Sequence, residues 1–218
     1  MKFAIVLLSV LLGPRTGPAT AATIVGAVSV SANQTARSGT SWSNVISQAN
    51  LDTPYVSGVT DFDSYIASAP QDSSSTSSIG STVNGVYTVT LTFNLGGLYT
   101  LDRFALWNRG GITQGVREFT LTAATAATFS DATLLGSFTA TEALSGTVNY
   151  AVPEVFGFST TEAHYVRMSV LNTHGTCCVS LSEVAFAAVS DAPPIPVPLP
   201  GVLLATGLGG LALIRRGA

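Results

Sequence analysis

Few side chains in this sequence have the chemistry of acids, bases, nucleophiles or metal ligands. Asp61 and Asp63 are two residues apart and could in principle act as an acid and a base. In a loop beside aromatic residues, solvation or calcium binding is the better interpretation of the pair. His164 and His174 are the only histidines, and no hydrolase motif surrounds them. The sequence therefore predicts no catalytic residues and a protein that is not an enzyme.

Cys177 and Cys178 are the only cysteines and are adjacent. Neighbouring Cα atoms lie about 3.8 Å apart across a trans peptide, below the usual disulfide separation of about 4.4–6.8 Å. A Cys177–Cys178 disulfide would be strained but can form in an oxidising compartment. Free thiols and an intermolecular bond are the alternatives.

Glu183 interrupts the alternation of a predicted strand. The apolar positions are Leu181 and then Val184 and Phe186, so the alternation slips by one residue at Glu183. Such a slip is typical of a β-bulge, which can redirect a side chain.

The elements around these residues are predicted to be strands. From Tyr87 to Leu95 every second residue is apolar, which is typical of a strand with one face on a core. Gly96-Gly97 breaks the pattern, and 99–107 resumes it, so the two segments are predicted to form an antiparallel hairpin. No long segment has helical periodicity, and an all-β antiparallel sandwich is expected. The other expected strands are Thr23–Val30, Glu118–Ala123, Ala163–Leu171 and Val179–Val189.

The charge balance excludes one class of ligand. The chain of 218 residues has nine lysines and arginines, of which four, Lys2, Arg15, Arg215 and Arg216, lie near its ends. The part between them has five arginines and twelve carboxylates, a net charge of −7. Nucleic-acid affinity depends mainly on cations that neutralise phosphates. Nucleic acid is therefore not an expected partner.

The first 21 residues are predicted to be a signal peptide. Lys2 precedes an apolar run from Phe3 to Leu12, and Ala19 and Ala21 are small residues at the two positions that a signal peptidase recognises. Cleavage is expected after Ala21, with Ala22 as the next choice. The β domain is expected to span residues 22–190.

A membrane anchor is predicted after the domain. Residues 191–200 are rich in proline and should form an extended spacer. Residues 201–214 are an uncharged apolar run, predicted to be a transmembrane helix, although 14 residues cover only about 21 Å of a hydrocarbon core of about 30 Å. Residues 215–218, with two arginines, should remain in the cytoplasm, which leaves the domain outside.

Residues 197–216 resemble the PEP-CTERM family of bacterial sorting signals. Val197, Pro198, Leu199 and Pro200 are similar to its VPLP variant, and a short glycine-containing helix and an arginine cluster follow. The resemblance implies processing by an exosortase near the proline motif and an association with exopolysaccharide. The protein would then be anchored in the inner membrane, or found at the cell surface or outside the cell after processing. A plain single-pass anchor is the alternative.

The middle of the chain resembles the discoidin, or coagulation-factor type C, domain of the galactose-binding-like fold. The residues that carry the resemblance are 93–108, 115–140 and 163–186. It implies a jelly roll that binds sugars, lipids or proteins through loops at one end, and a structural calcium ion held by Glu183 near the last strand. Asp61 and Asp63 are the expected further ligands. An exposed glutamate without a metal is the alternative.

The same resemblance implies a shallow saccharide site on the loop rim. Its expected residues lie at the ends of two strands. There an aromatic ring can stack on a pyranose, and Asn, Arg and His can form hydrogen bonds with it. A vicinal disulfide would pack on the sugar, as in some lectins of this fold. These residues are Trp107, Asn108, Arg109, His174, Cys177 and Cys178. A buried Trp107 is the alternative. The expected function is an exported, surface-anchored protein that binds glycan or exopolysaccharide; a structural matrix protein without a ligand is the second interpretation and a surface carbohydrate-active enzyme the third.

Overall fold

Ten strands and two short helices make up the described part of a computed structural model, which comprises residues 21–73, 79–109, 114–142 and 150–189. The helices are a 3₁₀ helix at Trp42–Ile46 and α1 at Phe62–Ala67. The strands are β1 Ala22–Val25, β2 Ser29–Ala32, β3 Asp72–Ser73, β4 Gly80–Ser81, β5 Val89–Asn108, β6 Val116–Ala124, β7 Thr133–Thr139, β8 Tyr150–Ala151, β9 Pro153–Thr173 and β10 Ser180–Val189.

Eight of these strands form one antiparallel sheet in the order β1-β10-β5-β9-β6-β7, with β2 also paired to β5 and β4 to β10. β3 and β8 pair separately. The predicted strands in β6, β9 and β10 are confirmed, although β9 begins ten residues earlier than the alternation indicated. The predicted strand Thr23–Val30 is two strands, β1 and β2, which pair with different neighbours.

The predicted hairpin at Gly96-Gly97 is wrong. β5 is one 20-residue strand that passes through both glycines, and both of its halves pair with β9. Gly96 has a φ of 79°, and the β5–β9 register shifts between Asn94 and Tyr99. A glycine in this left-handed conformation bends a strand at a bulge just as it can close a turn. The glycines therefore bend the strand and do not reverse it.

The bend allows β5 to contribute to two packed layers. Phe93, in its first half, packs on Phe186 of β10 with ring centroids 5.8 Å apart. Phe104, in its second half, packs on Phe119 of β6 at 5.9 Å. All four rings are fully buried. The predicted β-sandwich is confirmed, with its aromatic core between the two halves of the folded sheet.

A second, smaller core covers the other face of β10 and of the second half of β5. It is formed with side chains of the segment between β2 and β3, among them Leu51, Tyr55, Phe62 and Tyr65. Consequently all residues of β10 except Val189 are buried. A strand buried on both faces loses the alternation that identifies a one-sided strand.

Several predicted segments lie outside the described residues: residues 1–20 of the predicted signal peptide 1–21, the proline-rich segment 191–200, the helix 201–214 and the tail 215–218. Within the described ranges, no helix is long and apolar enough to cross a bilayer. Ala21 and Ala22, the predicted cleavage residues, are described: Ala22 is buried in β1 and pairs with Val189, whereas Ala21 is exposed and precedes the strand.

Candidate functional site

Glu183 lies at a β-bulge, as its sequence pattern predicted. The register between β10 and β5 shifts between Leu181 and Glu183, and Glu183 pairs with Trp107. The Glu183 side chain is fully buried. Its Oε2 accepts a 2.9 Å hydrogen bond from the backbone N–H of Gln48, and its Oε1 has no partner among the described residues. The bulge thus directs a carboxyl group into the protein and leaves one oxygen available.

Asp72 is a second buried carboxyl group beside Glu183. β3 lies against β10, and Asp72 is 1% exposed. Burial raises the pKa of Glu183 to about 8, and the nearby Asp72 contributes to that rise. Burial also raises the pKa of Asp72 to about 7. Two buried carboxyl groups that resist ionisation in this way favour a shared proton or a bound cation.

Asp61 and Asp63, the predicted partners of Glu183, lie elsewhere. Asp61 caps α1 by accepting a 2.8 Å hydrogen bond from the Ser64 N–H. The Ser64 side chain, and then this N–H, lower the pKa of Asp61. Asp63 forms an ion pair with Arg103. Arg103 pairs with Ala187, four residues from Glu183 along β10, a distance of roughly 13 Å. The metal ligand set predicted from the sequence is therefore not assembled.

The donor set around Glu183 nevertheless fits a hard cation. Asp72 Oδ1 and Glu183 Oε1 are both buried and unpartnered within the described ranges, and leaving such an atom unsatisfied costs about 1–3 kcal/mol. Carboxylate oxygens are the ligands that Ca²⁺ prefers. Since no three His, Cys, Asp or Glu side chains cluster in the described part of the chain, backbone carbonyls or water would have to complete the coordination.

Trp107 is a core residue and cannot stack on a sugar, so its prediction as a binding platform is wrong. It is fully buried in the second core. Its indole N–H donates a 2.9 Å hydrogen bond to the Pro70 carbonyl, and its ring lies 6.4 Å from that of Tyr65. Trp107 therefore fixes the segment that leads into Asp72.

Asn108 and His174 also have structural contacts. The buried Asn108 side chain accepts from the Val116 N–H at 2.8 Å and donates to the Val116 carbonyl at 2.7 Å. The His174 Nε2 is 3.0 Å from the Ala140 carbonyl. These bonds join the end of β5 to the start of β6 and the end of β9 to the end of β7, so both side chains support the rim, and the buried Asn108 amide is closed to a sugar.

Cys177 and Cys178 are free thiols in the structure, and the predicted vicinal disulfide is absent. Cys178 is buried, and burial raises the pKa of its thiol. Cys177 is half-buried, with its Sγ 3.4 Å from Asn84 Oδ1 and 3.7 Å from Gln114 Nε2. Cys177 is thus directed toward the polar rim, whereas Cys178 lies in the interior.

Arg109 belongs to a polar network at this rim. Its guanidinium donates to Gln114 Oε1, and Gln114 in turn contacts Cys177. Burial lowers the pKa of Arg109, and the neighbouring Arg37 adds to that effect. Tyr87 completes the rim: the residue is 41% exposed, and its hydroxyl donates a 2.9 Å hydrogen bond to the Thr176 carbonyl. We call this set the loop-end site; it comprises Arg37, Asn84, Tyr87, Arg109, Gln114 and Cys177.

Sequence reasoning missed Tyr87 and Asp72. The alternation from Tyr87 to Leu95 predicts that Tyr87 lies in a strand, but β5 begins two residues later. The Val83–Gly85 turn just before it could have indicated a loop aromatic, because Asn84-Gly85 is a typical turn pair. Asp72 lies beside a serine-rich segment with no local pattern to indicate burial.

Comparison with known proteins gives the fold. No protein-family model matches the sequence, and no curated protein matches it. Among solved structures, the truncated AlyQ with CBM32 and alginate lyase domains is 17% identical, with a TM-score of 0.52 over 81% of this chain and 36% of that chain. This chain therefore spans about a third of that two-domain protein.

Two single modules are also similar. The CBM32 of AlyQ in complex with 4,5-unsaturated mannuronic acid has 18% identity and a TM-score of 0.48, over 75% of this chain and 96% of the module. The family 32 CBM from C. perfringens NanJ in complex with galactose has 13% identity and a TM-score of 0.45, over 77% and 98%. The structural neighbours are thus carbohydrate-binding modules with a galactose-binding-like β-sandwich. At these identities the likeness shows the fold alone.

Proposed function

We propose that the protein is a non-enzymatic glycan-binding protein that contacts saccharides through the loop-end site. One observation carries the proposal: an exposed Tyr87 ring lies on the same rim as the connected polar side chains of Arg109, Gln114, Asn84 and Cys177. An aromatic face matches the C–H face of a pyranose, and guanidinium and amide groups can donate to and accept from its hydroxyls.

The chemistry of the site favours binding over catalysis. A glycosidase uses two carboxyl groups beside the scissile bond. The neighbouring carboxyl groups of Asp72 and Glu183 are buried and closed to a saccharide. Those of Asp63 and Asp102 are both ion-paired with Arg103. The loop-end site itself contains no carboxylate. Its ligand contacts would be stacking and hydrogen bonds, which bind a sugar without breaking it.

An open rim of this kind implies weak binding at each site. We expect a dissociation constant of about 0.1–1 mM, equivalent to about −4 to −5.5 kcal/mol. Display of many copies on a surface would raise the avidity about 10²-fold or more above the single-site affinity. Galactose and uronic-acid oligosaccharides are suitable first probes, because modules of similar fold have been solved with such sugars.

A glycan array tests the proposal. The purified protein should bind one or more saccharides, and Tyr87→Ala should remove that binding while leaving the melting temperature nearly unchanged. Phe158→Ala, which alters a partly buried ring elsewhere on the sandwich, is the matched control. Absence of binding to every glycan would favour a structural matrix protein without a ligand.

We further propose that the protein is exported and membrane-anchored. The support is the sequence pattern of residues 1–21 and 191–218, including the sorting motif Val197–Pro200 and its expected exosortase. Removal of residues 1–21 is compatible with the domain, because β1 begins at Ala22. Intact-mass analysis of the native protein should find a start near Ala22; retention of residues 1–21, or a cytosolic location, would contradict the proposal.

A structural calcium ion, held by Glu183 and Asp72, is the third part of the proposal. The support is the pair of buried carboxyl oxygens without partners in the described ranges. Bound there, the ion would neutralise both carboxylates and stabilise the folded state by mass action. The ion would tie β10 to β3 and to the Gln48 loop, which Glu183 already contacts.

A further inference from the structure

A polar groove crosses the outer face of the sheet where β2, the first half of β5 and the second half of β9 lie side by side. It has a volume of about 520 Å³ and is lined mainly by hydroxyl and amide side chains, with a single cation. We call it the face groove; its polar lining residues are Ser31, Asn33, Thr90, Thr92, Arg167 and Ser169.

Strand register arranges these residues in two parallel rows. Ser31, Thr92 and Arg167 are direct cross-strand partners and form one row. In the other row Thr90 pairs with Ser169, their hydroxyls 3.4 Å apart. Asn33 Oδ1 accepts a 2.8 Å hydrogen bond from the Thr90 N–H and closes that row. Three strands at their usual spacing make each row roughly 10 Å long, enough for several contacts to an extended chain.

Arg167 is held in place but has no ion-pair partner in the described part of the chain. Its guanidinium carbon lies 3.7 Å from the centroid of the Phe129 ring. Phe129 has a φ of 57° in a loop whose Asp131 carboxylate is already bound to the Thr125 N–H and hydroxyl. Arg103, by contrast, pairs with two aspartates. Stacking on Phe129 orients the Arg167 guanidinium and leaves its N–H groups available.

We propose that the face groove binds an acidic polysaccharide, with Arg167 taking a uronate carboxylate and the two rows of hydroxyl and amide groups taking sugar hydroxyls. Although the chain has a net negative charge, the groove lining contains no carboxylate that would repel the ligand. Planar guanidinium suits planar carboxylate, and such charge-assisted bonds are stronger than neutral ones. A neutral sugar would leave the one charged group of the groove unused.

The face groove is separate from the loop-end site. Thr90 is three residues from Tyr87, so the surfaces are neighbours, but they share no side chain. The proposal therefore does not depend on saccharide binding at the rim.

Isothermal titration of the full-length protein, purified in mild detergent, with tetragalacturonate tests the proposal. The matched ligand is the fully methyl-esterified tetramer, which keeps the sugar rings and removes the charge. The acid should bind, less tightly as salt is raised, and the ester should bind at least about tenfold more weakly, the loss expected for one charge-assisted contact.

Four variants locate the binding. Arg167→Gln should weaken binding of the acid by about tenfold, and Thr92→Val by a few-fold. Arg117→Gln removes an exposed arginine outside the groove and should have no effect. Tyr87→Ala measures any share of the binding that belongs to the loop-end site. The melting temperature of each variant confirms folding, and Thr92→Val provides the test if Arg167→Gln does not fold.

Three results would overturn the proposal: equal affinity for acid and ester, full affinity in both groove variants, or no binding of the acid at millimolar concentration. If Tyr87→Ala alone abolishes binding, the acidic sugar occupies the loop-end site; the face groove proposal then fails and the proposed function stands. If the groove variants no longer bind the acid but no array glycan depends on Tyr87, the face groove proposal stands and the proposed function fails.

Discussion

The backbone N–H of Gln48 donates a 2.9 Å hydrogen bond to Glu183 Oε2, across 135 residues of sequence. Gln48 is in the left-handed conformation, with a φ of 56°, and its own side chain accepts from the Tyr55 N–H at 2.8 Å. A non-glycine residue adopts this conformation when surrounding contacts fix it. The loop between β2 and α1 is thus bound to the bulge of the last strand through Glu183.

The stability of the metal-free protein should fall as the pH rises from about 4 to about 8. Burial raises the pKa of Asp72 to about 7 and that of Glu183 to about 8, whereas the unfolded chain has values of about 3.9 and 4.3. The folded state therefore holds these protons more tightly than the unfolded chain does. Their contribution to stability is complete below the unfolded pKa values and is lost as the pH rises through the folded pKa values. Thermal melts in chelator across this range measure the effect. A melting temperature that rises between pH 5 and pH 8 would contradict the assignment.

Calcium should reverse that loss. With the ion at 100 times its dissociation constant, mass action adds about 2.7 kcal/mol, or about 5–10 °C for a domain of this size. Chelator should remove this increment from the wild type and leave Glu183→Gln and Asp72→Asn almost unchanged. Glu162→Gln, at an exposed position on β9, should respond like the wild type. An equal response in Glu183→Gln and wild type would exclude the site.

Trp107→Ala should destabilise the fold by about 3–5 kcal/mol, the usual cost of deleting a buried tryptophan. The side chain is fully buried, and its N–H bond to Pro70 would be lost. Urea unfolding measures the change. Tyr87→Ala, at an exposed ring, should cost less than about 1 kcal/mol. A stability loss for Trp107→Ala no larger than that for Tyr87→Ala would mean that the indole is not in the core.

The two cysteines should differ in reactivity. Cys177 is half-buried on the rim, and Cys178 is buried with a raised thiol pKa. A maleimide should therefore modify Cys177 well before Cys178 in the native protein, and both after denaturation. Mass spectrometry with Cys177→Ser as the reference distinguishes the sites. Failure of both thiols to react after denaturation without reductant would instead indicate the vicinal disulfide.

Local patterns predicted what depends on local geometry. Alternation identified β6, and the slip at Glu183 predicted its bulge correctly, because side-chain phase is a direct consequence of the pleat. Gly96-Gly97 predicts a turn but forms a bend, because glycines occur in both. The sequence around Trp107 allows a surface position, because nothing in its own strand shows that the segment containing Tyr55 and Tyr65 covers it.

Which residues form the candidate sites can be seen only in the folded structure. Asp72 and Gln48 reach Glu183 only through long-range pairing, and Arg167 joins Ser31 and Thr92 only through strand register. Such contacts carry no short-range periodicity from which to predict them.

Glycan binding at the loop-end site is tested most directly by titrating the purified protein with the strongest saccharide from the array and comparing wild type with Tyr87→Ala and Arg109→Gln. The wild type should bind with a dissociation constant of about 0.1–1 mM. Each variant should lose at least about tenfold in affinity, equivalent to about 1.4 kcal/mol, and Arg117→Gln should not. Undiminished binding by both loop-end variants, with their folding intact, would contradict the assignment of the loop-end site.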